Sequence, residues 1–262
     1  IDENIMSLYG GNTTSHKGGV VMITPINAKS LKDLFVSQLE EHILSGNLRS
    51  GEKLPAERDL AVKMGVSRPV VHEGLVELAA KGLVTMKPRH GTIVNDYRKE
   101  GSLGLLKTMF RLGDEKIGKE LLSGLLEMRL LFEVENARLA ALNRTGEQLK
   151  ALSTIVEKEE RTPVQDSAKI TALDFEFHHR TAVATGNVVY PLMLNSMKST
   201  YMKLAQIFFS DPGVIPDVVA FHKDMADAVA RQDPDSAMQV MQKMILHGER
   251  HLRCRLDEFV SS

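Results

Sequence analysis

The chain has 262 residues, 43% of them hydrophobic and 26% charged, which excludes a disordered protein and leaves room for two domains of ordinary size. The single cysteine, Cys254, excludes an internal disulfide framework, and no apolar run is long enough for a bilayer span or a cleaved leader; a cytoplasmic chain without a membrane partner is expected. The net charge of −1 excludes a strongly basic nucleic-acid coat, although residues 28–99 carry 12 Lys and Arg against 9 Asp and Glu.

Residues 1–27 are rich in Gly, Ser, Thr and Asn without a helical period and predict a mobile arm. The first residue is not Met, so an upstream start and a start at Met22 both stay open. A helix follows over 30–45, with Leu31, Leu34, Phe35, Leu39, Ile43 and Leu44 on one face and Gly46 at its end. Residues 58–64 predict a second helix, stopped by Gly65. Ser67 then stands at an N-cap, and Pro69 falls in the first turn of a third helix, where its missing N–H costs little. That helix buries Val71, Leu75 and Leu78 and leaves Arg68, His72 and Glu73 outward. Strands over 83–87 and 92–95 are joined by Pro88, Arg89, His90 and Gly91.

Helix, turn, capped helix and basic hairpin, in that order, outline a winged helix-turn-helix, whose second helix enters the DNA major groove. An isolated helix pair with solvated charges would read as a structural element only; the ordered set of features favours DNA. Expected contacts are Arg58, Ser67, Arg68, Pro69 and His72 from the helices, and Lys87, Arg89, His90 and Gly91 from the wing. Arginine suits the O6/N7 pair of guanine, and a glycine at a hairpin tip lets backbone approach phosphate or the minor groove.

Residues 95–104 read as a linker. Beyond it the pattern is helical, over 103–112, 116–143, 147–160, 166–186, 190–209, 214–231 and 234–258, with turns at Gly113-Asp114, Thr145-Gly146, Thr162-Pro163, Gly186-Asn187, Asp211-Pro212-Gly213 and Asp233-Pro234. The fold expected is an N-terminal winged helix-turn-helix (α+β) followed by an all-α antiparallel helical bundle, divided as arm 1–27, DNA-binding domain 28–97 and effector and dimerisation domain 98–262.

Within the bundle, Asp174 and His178 are four apart and share a helix face, and His222 and His247 sit on later helices. A carboxylate with imidazoles suits Zn, Ni, Fe or Mn. On spacing alone, an exposed or capped pair on a polar face is the stronger reading. His179 points elsewhere, and a His247/His251 pair on the C-terminal helix is an unfavoured site. Met193, Met197, Met202, Met238, Met241 and Met244 fall at helical spacings and read as core or pocket lining.

The segment LPAERDLAVKMGVSRPVVHEGLVELAAKGLVTMKPRHGTIV resembles the DNA-binding domain of the GntR transcription factors over its whole length. The resemblance passes their DNA-contacting roles to Arg58, Arg68 and Gly91. Two positions depart from the pattern. Ala56 replaces a capping serine, a loss of roughly 1 kcal/mol. His72 replaces a base-contacting arginine, whose bidentate contact an imidazole cannot reproduce, so an altered operator or weaker binding is expected.

The helical half is similar to the FCD-type effector domain of the FadR subfamily, carried by Asp174-Phe175-Glu176-Phe177-His178 through Asn187, by Phe221-His222-Lys223, and by Glu127-Met128-Arg129 through Glu133. It implies a metal on Asp174, His178 and His222, completed by a small carboxylate, with Arg129 and Asn187 as effector-binding residues. Arg129 pairing with Glu133 one turn away is an equal reading. The family's last histidine is replaced by Met244; His247 lies one turn further, about 4.5 Å along the axis, and is not expected to substitute.

The reading is a ligand-responsive DNA-binding repressor that senses a small organic acid. It is no enzyme, and it acts as a homodimer on a palindromic operator, since half-sites repeat about every 10 bp. The alternatives are a metal-free acyl-CoA sensor of the same subfamily and, less favoured, a metal-dependent hydrolase, for which no general base or nucleophile–base pair is evident.

Overall fold

Apolar residues spaced three and four apart build the first helix of the head. Helix α1 (Leu31–Leu44) buries Phe35, Val36, Leu39, Ile43 and Leu44. In this computed structural model, which describes residues 29–112 and 115–260, α1 packs on α3 (Arg68–Ala80) so closely that a Cβ on Gly74 would stand 2.4 Å from the Phe35 ring. The expected arm and the Gly113-Asp114 turn lie outside the described residues.

Helix α2 (Glu57–Met64) ends where Gly65 takes φ 64°, its N–H donating to the carbonyls of Ala61 and Val62. Strands β1 (Val84–Lys87) and β2 (Gly91–Val94) form the wing, antiparallel, with Val84 opposite Val94 and Lys87 opposite Gly91. Lys53 adds an isolated bridge to Ile93. Leu60, Val71, Leu75, Leu78, Leu83 and Val94 close the core of the head.

The expected linker contains a helix. Asp96 accepts from the Arg98 N–H and starts α4 (Tyr97–Glu100), and a 3-10 turn (Leu103–Leu105) leads into α5 (Leu106–Leu112). The polar run that reads as loop is thus capped from within. Leu105 and Met109 pack into the core of the head. Gly82 sits under this connection at φ +77°, where a Cβ would come within 1.8 Å of the Glu100 carbonyl oxygen.

The second half comprises α6 (Glu115–Asn143), α7 (Gly146–Glu160), α8 (Ser167–Ala184), α9 (Val189–Phe208), α10 (Ile215–Ala230) and α11 (Pro234–Val260). Thr145 and Gln148 form a reciprocal capping box at the start of α7. Helix α6 runs against α11, α8 lies between α7 and α9, and α10 packs on α7 and α11. Two apolar cores result. One gathers Ala137, Ala141, Leu152, Ile155, Phe177, Met225, Val229 and Met241; the other gathers Leu122, Leu126, Ile170, Phe175, Leu204, Phe208 and Phe209. Helix α8 feeds both, through Phe177 and Phe175. Asp174 and His178 therefore fall between them, and no single described helix is long and apolar enough to cross a membrane.

Candidate functional site

Two places in the fold carry the residues that the sequence singles out. The first is a groove of about 500 Å³ between α2, α3 and the wing, lined by Arg58, Arg68, Lys87, Arg89 and Gly91 among others. Four cations on one concave face can neutralise phosphates and leave guanidinium forks for base edges. Gly91 has φ +91° beside the Lys53 side chain, and Arg89 itself takes φ 64°, so the tip is a tight turn. Pro69 lies in the first turn of α3, and Ser67 stands at its N-cap by backbone conformation. The expected side-chain cap is not formed, because the Ser67 hydroxyl makes no cap hydrogen bond. Ala56 likewise leaves α2 without a side-chain cap. His72 is exposed on α3 beside Glu57, and His90 is exposed at the tip.

The second place is a buried polar centre. Asp174, His178 and His222 each offer one ligand atom, all within 4.8 Å of one another. Asp174 Oδ1 lies 3.9 Å from His178 Nε2 and 3.7 Å from His222 Nε2. His222 is fully buried, and its Nε2 has no hydrogen-bond partner among the described residues. The opposite ring nitrogens are both backed by carboxylates. His222 Nδ1 lies 3.0 and 2.9 Å from the two oxygens of Glu159, and His178 Nδ1 is paired with Glu133. A carboxylate on Nδ1 holds the proton there, so the lone pair of the neutral ring faces the centre. Tyr201 donates its hydroxyl to Asp174 Oδ2 at 2.6 Å. This donor set, with an orphaned buried nitrogen, fits a divalent metal ion.

The electrostatics are those of a closed network. Burial pushes the Glu133 carboxyl up, but Arg129 at 2.5 Å and His178 outweigh it and hold its pKa down to about 2. Burial disfavours the His178 cation, yet Glu133 and Asp174 raise its pKa above the ordinary imidazole value. Burial, reinforced by Asp174, pushes the Tyr201 phenol well up, so it stays a donor.

A cavity of about 50 Å³ opens on this centre. Arg129, Asp174, His178 and Tyr201 form its polar end; Leu204, Phe208, Val218, Met244 and Leu252 supply apolar wall. Arg129 both bonds Glu133 and lines the cavity. Met244 lines it too, while Met241 is core.

His247 is turned away. Its Nε2 faces Asp217 at 4.0 Å and its ring packs on Phe221, Phe208 and His251, outside the Asp174 group. One helical turn of displacement aims it at α10 rather than at the centre. Asn187 does not line the cavity either. Its side chain accepts from the Val189 N–H at 2.9 Å and shapes the turn between α8 and α9. An Asn in a tight helix connection satisfies backbone in this way. His179 stacks on Phe175.

Glu159 and Tyr201 carry no signature in the sequence that marks them for the centre, and Glu133 pairs with His178 as well as with Arg129. The helical period does signal the burial of Glu159: with Leu152, Ile155 and Val156 it falls on the buried stripe of α7, where a carboxylate needs a partner.

Comparison with known proteins agrees with both halves. The model described as "Bacterial regulatory proteins, gntR family" matches residues 34–94, and the FCD domain model matches residues 124–247. An HTH-type transcriptional regulator of Bacillus subtilis, YcbG, is 30% identical over 221 residues, covering 82% of this chain and 87% of its own. The chain belongs to the GntR family. It is a GntR-family DNA-binding transcriptional regulator with an FCD effector domain, and the family consists of regulators rather than enzymes. HTH-type transcriptional regulator Mce2R of Mycobacterium tuberculosis is also 30% identical, with 85% of this chain and 92% of that one covered. A fatty acid metabolism regulator protein of Proteus mirabilis is 27% identical, with 83% and 89% covered. Among solved structures, the Lar regulator of Listeria monocytogenes shares the fold, with a TM-score of 0.56 at 17% identity over 87% of this chain and 99% of that one.

Proposed function

We propose that this GntR-family protein is a cytoplasmic repressor. It would bind a palindromic operator as a homodimer through a head spanning residues 28–97, and sense a small organic acid through residues 98–262. The convergence of Asp174, His178 and His222, with a carboxylate behind each imidazole, carries the sensing half of this reading. Asp174, His178 and His222 would hold a divalent ion, Zn, Ni, Fe or Mn, with positions left open for effector oxygens. Such an ion supplies Lewis acidity toward a carboxylate. Arg129 at the polar end can add a guanidinium–carboxylate contact, and the apolar wall excludes water from both.

The size of the cavity favours a small acid over an acyl-CoA. At about 50 Å³ it falls far below the roughly 300–1,000 Å³ that drug-sized ligands occupy. Arg58, Arg68, Lys87 and Arg89 would contact DNA from the groove, with His72 and Gly91 close to base and backbone. Leu131, Val188, Val189 and Leu192, all exposed on α6 and at the start of α9, offer an apolar face suited to a second copy.

The experiment is a fluorescence-anisotropy titration of a palindromic upstream fragment, with and without candidate acids, beside metal analysis of the purified protein. A bound metal at about one per chain and an acid-dependent change in affinity are expected. Asp174→Ala should lose both while still binding DNA. Specific DNA binding that no acid changes, in a metal-free protein, would sink the sensing half.

A further inference from the structure

Glu57 opens α2 at the foot of α3, and its carboxylate serves two outward side chains of that helix. Oε2 accepts from Arg68 Nε at 3.3 Å, and Oε1 lies 2.9 Å from His72 Nδ1. The hydrogen bond from His72, with one from Arg68, holds the Glu57 carboxyl below its ordinary range, so it is ionised and can only accept. The proton between the two groups therefore sits on His72 Nδ1. A neutral imidazole in that tautomer carries its lone pair on Nε2. The His72 side chain is 57% exposed, and Nε2 makes no hydrogen bond to another described residue.

We infer that His72 reads a base edge as a hydrogen-bond acceptor through Nε2, in a tautomer set by Glu57, and so selects cytosine or adenine and rejects guanine. In the major groove cytosine presents the N4 amino donor and adenine the N6 amino donor, whereas guanine presents only N7 and O6 acceptors. A neutral Nε2 facing guanine opposes lone pair to lone pair. Arginine at this position would offer donors alone and select the opposite base. Arg68 keeps its terminal nitrogens for a guanine, since Glu57 engages only its Nε. The inference rests on α3 being the element that enters the groove.

Selection of binding sites from a pool with randomised half-sites, with the full-length protein at one salt concentration, tests this directly. One half-site position should favour cytosine or adenine over guanine by about fivefold to tenfold. His72→Arg should select guanine there. Glu57→Gln, whose amide can donate or accept and so no longer dictates the tautomer, should blunt the preference and leave the rest of the operator intact. Guanine selected by the wild type, or a profile that His72→Arg leaves unchanged, overturns the inference alone. Failure to select any operator overturns the placement of α3 with it.

Discussion

The Tyr201 hydroxyl donates to Asp174 Oδ2 at 2.6 Å, bridging α9 to α8, while the other oxygen of the same carboxylate faces both histidines. Tyr201 thus orients the carboxylate of the candidate metal site, and Arg129 lies over the Tyr201 ring at 4.7 Å. Tyr201→Phe keeps the ring and the cavity wall but frees Oδ2. Metal affinity, measured against a competing chelator, is expected to fall about 10- to 100-fold, the usual cost of losing an outer-shell partner. An unchanged affinity would show that Asp174 is held by packing alone.

Glu133 links stability to pH in metal-free protein. Its pKa falls from a usual 4.5 to about 2, so its contribution is present above pH 4.5 and lost as pH falls toward 2. The His178 pKa is raised, so its contribution is full below the usual 6.5 and lost as pH rises through the folded value. Thermal unfolding of metal-free protein should therefore show this network at its strongest between these limits. Glu133→Gln removes the buried carboxylate that Arg129 and His178 share and should cost about 3–5 kcal/mol, with the acid limb flattened. Denaturant titrations across pH check both statements.

Gly248 lines the cavity, and a Cβ there would meet nothing within 4 Å. Gly248→Ala should stabilise α11 by up to about 1 kcal/mol, since glycine weakens a helix interior. Gly248→Leu should fill the cavity. Thermal shift with an acid that stabilises the wild type should be retained by the first variant and lost by the second, with metal content unchanged in both.

Thr108 of α5 donates to the buried Glu40 of α1 at 2.9 Å, and Lys81 at the end of α3 reaches the same oxygen at 2.6 Å. Helix α5 also packs against α9, which carries Tyr201. This chain of contacts connects the FCD domain to the head. Thr108→Val should leave effector-free DNA affinity within about threefold and reduce the effector-induced change, since the hydroxyl bond contributes on the order of 1 kcal/mol. Anisotropy titrations with and without effector decide it; an undiminished response would place the coupling elsewhere.

The sequence by itself determined what depends on near neighbours along the chain. Gly65, Pro69 and the alternation of apolar residues mark out α2, α3 and the wing, because caps, turns and helix faces are set within about one turn of the chain. The four-residue spacing of Asp174 and His178 puts them on one face for the same reason. Only the tertiary structure decided which distant groups complete them. Glu159 meets His222 across 63 residues and Tyr201 meets Asp174 across 27, and neither pairing has a local signature. Helix packing likewise turned His247 toward Asp217, put Met244 on the cavity and gave Asn187 to the backbone. A helical period fixes the face on which a residue lies, whereas the facing residue follows from how the helices pack, and that arrangement is set by all the buried faces together.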